Sequence, residues 1–319
     1  MKKKSIQLAF FIFLFTAKSH AEVGAPIADY KPDQIAKNAW VIHGPTEMPS
    51  AENQGFMNNP GFVLTEKGVV IIDPGSSVQA GEMVLRVLNK ITKKPVLAVF
   101  NTHIHGDHWL GNQAIKKAFP SATIYGHPKM LQAINDGDGD MWLSLMDNLT
   151  EGATKGTTVT PPTHKTDHGD VLKIDNKHFK IHHYGHNHTH SDIMIEVIED
   201  KIIFLGDNVL ADRIPRMSDG NFKGVMHAID EIIKVDATVW VPGHGKTNGK
   251  SMLKDFHNYL SSVYETARKA FDNDMDSSDV KSLLLKSTAK YKKWSGYDDQ
   301  IGKHGAQAYM EVESWSFNI

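Results

Sequence analysis

Short apolar runs alternate with amphipathic stretches along most of this chain. Residues 39–43, 61–65 and 68–73 are apolar, rich in β-branched and aromatic side chains, and bounded by Asn, Pro and Gly. They predict three successive strands. The polar loop at 45–60 between the first two carries Met48, Phe56 and Met57. From 78 to 91 the apolar residues Val84, Leu85, Val87, Leu88 and Ile91 fall on one helical face. A strand at 96–100, a helix at about 111–119, a strand at 122–126 and a helix at about 128–134 follow. Alternation of this kind indicates a layered α/β domain.

The pattern breaks between 127 and 168. Residues 135–140 alternate acid and glycine, but Met141 stands where a calcium loop needs its central Gly and no Glu closes the loop, which favours a plain turn over calcium. The patch at 141–146 that follows reads either as a core helix or as a lid over a pocket. Strands resume at 170–174, 178–184, 193–199, 201–205 and 237–241. Helical periodicity returns at 251–271 and 278–286, ahead of an end segment at 304–315. Trp294 and Tyr297, just before that segment, suit core packing better than substrate contact.

The N-terminus adds a compartment. Lys2, Lys3 and Lys4 precede a short apolar run at 6–15 and then Ser19-His20-Ala21, the layout of a secretory signal cleaved after Ala21. That places the protein in the periplasm or outside the cell, with no stable membrane association after cleavage; an uncleaved anchor is the competing reading. The chain has no Cys, so disulfides and a lipid-modified cysteine are both excluded. Losing the four lysines of the segment shifts the formal charge from −2 to −6. A mildly acidic exported protein is a poor partner for nucleic acid and suits a small-molecule substrate. Residues 22–38, with Pro26 and Pro32 and no clear period, read as an extended arm.

Candidate chemistry gathers at strand ends. Straight after the strand at 96–100 come His103, His105, Asp107 and His108, three imidazoles and a carboxylate within six positions, with Gly106 to turn the backbone. Neutral imidazoles with a carboxylate suit a borderline divalent cation such as zinc. The exit of the strand at 178–184 brings His186, His188 and His190; the strand at 201–205 leads into Gly206-Asp207; that at 237–241 leads into Pro242-Gly243-His244-Gly245. Taken alone, Asp207 or His244 reads as a satisfied turn residue. Four strand ends that all carry ligand-type residues read as a metal site, because strand ends are where α/β sheets gather ligands. No Gly-x-Ser-x-Gly and no Cys competes as a nucleophile.

His103-x-His105-x-Asp107-His108, His188-Thr189-x-x-Asp192, Gly206-Asp207 and Gly243-His244-Gly245, in that order across about 40–246, resemble the metallo-β-lactamase-fold hydrolase superfamily. The resemblance implies a four-layer αββα sandwich over 39–249, with a C-terminal helical extension at 250–319. It also implies two zinc ions per chain: the first on His103, His105 and His188, the second on Asp107, His108 and His244, with Asp207 bridging. His188 is preferred to His186 because it reproduces the family's third motif. Asp73, the Asp before Gly, takes a supporting role toward the ligands, against a local reading as a simple Asp-Pro turn. The implied reaction is attack of a metal-bridging hydroxide on an ester, thioester, lactone or amide carbonyl, with Asp107 and Asp207 as catalytic carboxylates.

Substrate is less determined. β-Lactamases of the commonest subclass carry Cys where this chain has Asp207, so the bridging Asp is closer to glyoxalase II-like thioesterases and lactonases. The tail resembles an exported branch, the quinoprotein-associated zinc metallohydrolases. Three alternatives stand beside that reading: a β-lactamase proper, a mononuclear iron persulfide dioxygenase, and a non-catalytic periplasmic zinc-binding protein.

Overall fold

Two β-sheets packed face to face, with helices on the outer side of each, make up the chain in a computed structural model that describes residues 23–317. The expected signal segment at 1–21 lies outside the described residues. The first sheet follows chain order through β1 (Asp33–Ala36), β2 (Ala39–Val41), β3 (Gly61–Leu64), β4 (Val69–Ile72), β5 (Val96–Phe100), β6 (Thr123–Gly126) and β7 (His164–Lys165). Neighbours from β1 to β4 are antiparallel and those from β4 to β7 parallel. The second sheet runs β8 (Val171–Ile174), β9 (Lys177–His182), β10 (Met194–Val197), β11 (Ile202–Phe204) and β12 (Val239–Val241), antiparallel except for β11 with β12. By these pairings β9, β11 and β12 point the same way, so all three end on one edge of the sheet.

Helices α1 (Val78–Ile91), α2 (Gly106–Trp109), α3 (Asn112–Ala118), α4 (Pro128–Ala133) and α5 (Gly139–Leu149) belong to the first half. The second half supplies α6 (Phe222–Ile232), α7 (Lys250–Asp272), α8 (Ser277–Ser287) and α9 (Tyr297–Phe317). Period-2 alternation splits each strand between two cores. Val63, Val70, Ile72 and Phe100 of the first sheet meet Phe179, Ile181, Ile195 and Phe204 of the second in the central layer. Phe62, Ile71 and Val99 face Met83, Val84 and Val87 of α1. Met194, Ile203 and Trp240 pack under α6, α7 and α9. The fold is thus the expected four-layer α/β sandwich with C-terminal helices.

Two elements depart from the sequence reading, and one expected turn is kept. Residues 33–36 of the expected arm pair with β2, and Ile27 is buried in the core beside α1, so the arm is stitched to the sheet. Helix α6 has no counterpart among the expected elements, although Phe222, Val225, Ile229 and Ile232 sit at helical spacing and form its buried face. The acid-and-glycine stretch is a sharp turn between α4 and α5, with Gly137 non-helical at φ 114°.

The extension is tied to the sandwich by a neutral histidine. His304 is buried, accepts at Nδ1 from the Tyr259 hydroxyl at 2.8 Å and donates from Nε2 to the Pro215 carbonyl at 2.9 Å. Burial lowers its pKa from 6.5 to about 4. The folded pKa lies below the unfolded one, so protonation favours unfolding: the stability is fully present above 6.5 and is lost as pH falls toward 4. Holding that ring neutral is worth about 3 kcal/mol at most. Urea melts between pH 7 and pH 4.5 are expected to show a stability slope that His304→Gln flattens; equal slopes in the two proteins would remove His304 from the account.

Candidate metal centre

Five strand ends build the site. β4 ends in Asp73, β5 leads into His103, β9 into the 183–193 loop, β11 into Asp207, and β12 into His244. His105 is the residue before α2, and Asp107 and His108 occupy that helix's first turn, which rotates their side chains toward the other ligand-type residues instead of letting them alternate. The close approach of strand ends requires glycine at one point: a Cβ on Gly243 would run into the Asp207 carboxylate.

Ligand-type atoms converge in three overlapping groups, each within 4.8 Å: His103, His105 and His188; His103, His108 and Asp207; Asp107, His108 and His244. His188 Nε2 lies 3.0 Å from His105 Nδ1. Asp207 faces both ends of the cluster, with its carboxylate oxygens 3.2 Å from His108 Nε2, 3.3 Å from His244 Nε2 and 3.5 Å from His188 Nε2. Asp107 Oδ2 lies 3.2 Å from His244 Nε2. All seven residues are buried.

Around them a second layer of contacts orients the rings. Asp73 accepts from His108 Nδ1 at 2.8 Å, from the Thr102 amide at 2.8 Å and from the Thr102 hydroxyl at 2.6 Å. It does so from a left-handed backbone, φ 51°, a conformation Asp adopts more readily than most side chains. His105 bonds Asp219 through Nε2 at 3.0 Å, and His244 donates from Nδ1 to the Met57 carbonyl at 2.8 Å. Each second contact leaves the other ring nitrogen facing the cluster.

The electrostatics follow from burial and neighbours. Burial, reinforced by nearby His108, holds His103 well below its usual pKa, and burial with His105 takes His188 down to about 3, so both rings are neutral with a lone pair to offer. Burial works against charge on Asp107 and Asp207, yet the facing His108 and His244 hold both carboxylates below the usual range. Burial lowers His108 too, and is outweighed by the Asp207, Asp107 and Asp73 carboxylates, which raise it. Two buried anions ringed by imidazoles form a pocket that attracts positive charge. His103 Nε2 and His188 Nδ1 are buried without a hydrogen-bond partner, and His103 belongs to two of the three groups.

The third-motif histidines separate. His188 is buried in the cluster, whereas His186 bonds the Asp219 carbonyl at 2.8 Å and stacks on the exposed His190 at 3.6 Å. Trp142 of the 141–146 patch has both roles foreseen for it: it packs with Ile104, Trp109 and Met146, and it lines the cleft with its ring 4.8 Å from His105. Met48 and Met57 of the 45–60 loop line the same cleft. Trp294 and Tyr297 pack with Tyr259 and Tyr291 in the second-sheet core, away from the cleft. Sequence reading missed Asp219, Arg213 and Arg216, which lie in an irregular loop without motif; only their position shortly after Gly206-Asp207 hinted at them.

Among the described residues no helix is long and apolar enough to cross a membrane. Residues 54–244 match the model of the metallo-β-lactamase superfamily. The chain is 25% identical to a probable hydroxyacylglutathione hydrolase of Schizosaccharomyces pombe, over 67% of this chain and 72% of that protein. It is 24% identical to a type 2 metallo-β-lactamase of Bacillus sp. strain 170, over 69% and 78% respectively. The solved metallo-β-lactamase of Pontibacter korlensis shares the fold, with a TM-score of 0.57 at 21% identity, covering 72% of this chain and 98% of that one. Fold, motif order and family match agree: the chain belongs to the metallo-β-lactamase superfamily and is one of its hydrolases.

Proposed function

We propose that the protein is an exported dinuclear zinc hydrolase that cleaves an ester, thioester, lactone or amide. The observation that carries this reading is the placement of Asp207, whose carboxylate reaches imidazoles at both ends of one buried cluster. The donor set fits zinc: neutral imidazole nitrogens and anionic carboxylates, one of the nitrogens orphaned in a buried pocket. His103, His105 and His188 would hold one ion, and Asp107, His108 and His244 the other, with Asp207 shared. Zinc there supplies a water acidified toward neutral pH and a Lewis acid for the carbonyl.

The chain's own residues do the rest. Asp73 and Asp219 fix His108 and His105 in the ring orientation that leaves Nε2 and Nδ1, respectively, toward the cluster. Asp107, held ionised at pH 7, accepts the proton of the attacking water and returns it to the leaving group. Trp142, Met57 and Leu210 line the cleft above and exclude bulk water. The region 39–249 is the catalytic domain and 250–319 an extension that braces it. Export is supported by the basic and apolar segment at 1–21.

Metal analysis of purified mature protein is expected to give two zinc ions per chain. Chelation should abolish turnover of a panel of thioesters, lactones and β-lactams, and added zinc should restore it. One iron per chain with oxygen uptake would replace this reading by the dioxygenase, and two zinc ions with no turnover across the panel by a zinc-binding protein.

A further inference from the structure

One cation in the cleft is buried without a counter-charge. Arg213 is 6% exposed, and its guanidinium approaches the Glu47 carbonyl at 3.4 Å, the Met48 sulfur at 3.4 Å and His244 Nδ1 at 3.3 Å. The last contact is not an acceptor for it, because His244 Nδ1 already donates to the Met57 carbonyl. Five N–H donors therefore share two weak acceptors. Among the described residues no carboxylate lies within ion-pair distance of Arg213; Asp107, Asp207 and Glu47 act on it only from farther away, and the first two are committed to the histidine cluster.

A second guanidinium stands close by. Arg216 lines the same cleft, with its Cζ 5.9 Å over the Trp142 ring and its Nε donating to the Ser218 hydroxyl at 2.8 Å. The remaining lining is largely apolar, with Trp142, Leu145, Met146 and Leu149 all from α5. The arginine loop is held rigid from outside. The Ile214 amide donates to the Ser295 carbonyl at 2.8 Å and the Ser295 amide to the Asp212 carbonyl at 2.9 Å. His304 holds Pro215, and the Gln307 amide reaches the Met217 and Gly220 carbonyls. The extension thus clamps the segment that presents both arginines.

A buried, preorganised and unpaired guanidinium is costly unless an anion completes it, and its planar fork matches an oxyanion. We propose that Arg213 and Arg216 form an oxyanion-binding wall and that the substrate is an amphiphilic anion, a carboxylate or sulfate on the arginines with an apolar chain along α5. This deepens the hydrolase reading for the position of the scissile bond, while the binding itself is independent of turnover.

Calorimetric titration of the purified, metal-containing protein with octanoate, octyl sulfate and octanol tests it. Both anions are expected to bind at least about tenfold more tightly than octanol, the worth of a charge-assisted pair. Arg213→Gln with Arg216→Gln should reduce that ratio toward one. Should Arg213→Gln fail to fold, Arg216→Gln should lower the ratio while Arg213→Lys retains most of it. The tighter of octanoate and octyl sulfate identifies the substrate's anion. Equal affinity for all three probes, or a preference that survives loss of both arginines and so resides on the metals, overturns the proposal. Failure of the hydrolase reading looks different: no substrate is turned over, yet the anions still outbind octanol.

Discussion

Asp207→Ala is expected to lower the bound zinc of the proposed dinuclear centre from two ions per chain to at most one and to reduce kcat/KM by about a thousandfold, the scale of several kcal/mol of transition-state stabilisation. The carboxylate lies within 3.5 Å of His108, His188 and His244, so its loss is felt at both ends of the cluster. Asp107→Ala removes a carboxylate that faces only His108 and His244, so it should leave the His103, His105 and His188 group able to hold metal. The comparison separates a shared ligand from a one-sided one. Zinc per chain measured by atomic spectroscopy, beside a thermal melt to verify folding, decides it. Two zinc ions retained in Asp207→Ala would remove the bridging role.

The second large effect is expected at Asp73, which lies behind His108 and not among the residues lining the cleft. Asp73→Asn keeps the shape but replaces one carboxylate oxygen by a donor, which faces either the Thr102 amide at the Oδ1 position or both the Thr102 hydroxyl and His108 Nδ1 at the Oδ2 position. Zinc affinity should fall by about 10 to 100-fold, as for other supporting partners of ligand histidines. Asp73→Ala should go further. It leaves the Thr102 amide and the His108 ring without their buried acceptor, and it forces alanine into φ 51°, for a combined loss of about 3 kcal/mol or more of stability. A competitive chelator titration reads the first effect and urea unfolding the second. If Asn and Ala behaved alike in both, Asp73 would be a turn residue and nothing more.

Much of this architecture was legible because it is local. Hydrophobic alternation in 61–65, 68–73 and 96–100 and the helical face at 78–91 each reflect which side of one element meets a core, and they mark β3, β4, β5 and α1 to within a residue or two. Where alternation was short or charged, as in β1 at Asp33–Ala36, pairing with β2 formed the strand and no local signal could. Helix α6 belongs with the local elements, since its amphipathic face is plain in 222–232.

The site divides the same way. His103, His105, Asp107 and His108 announce a candidate metal site because four ligand-type side chains crowd one turn, whereas Asp207 and His244, each a plain turn residue when read alone, join it only because several strand ends carry ligand-type residues together. Which of His186, His188 and His190 joins them depends on the path of a loop tied by backbone hydrogen bonds to Thr102 and Asn221, and only the folded chain brings His188 to 3.0 Å from His105 and turns His186 toward Asp219. Asp219 and Arg213 carry no motif at all. Their roles come from distance: Asp219 is 114 residues from the His105 it orients, and Arg213 lies 82 residues before the Ser295 that pins its loop. Chemistry held within one turn is written in the sequence, whereas partners that meet across layers, the extension clamping the cleft above all, exist only once the sandwich has closed.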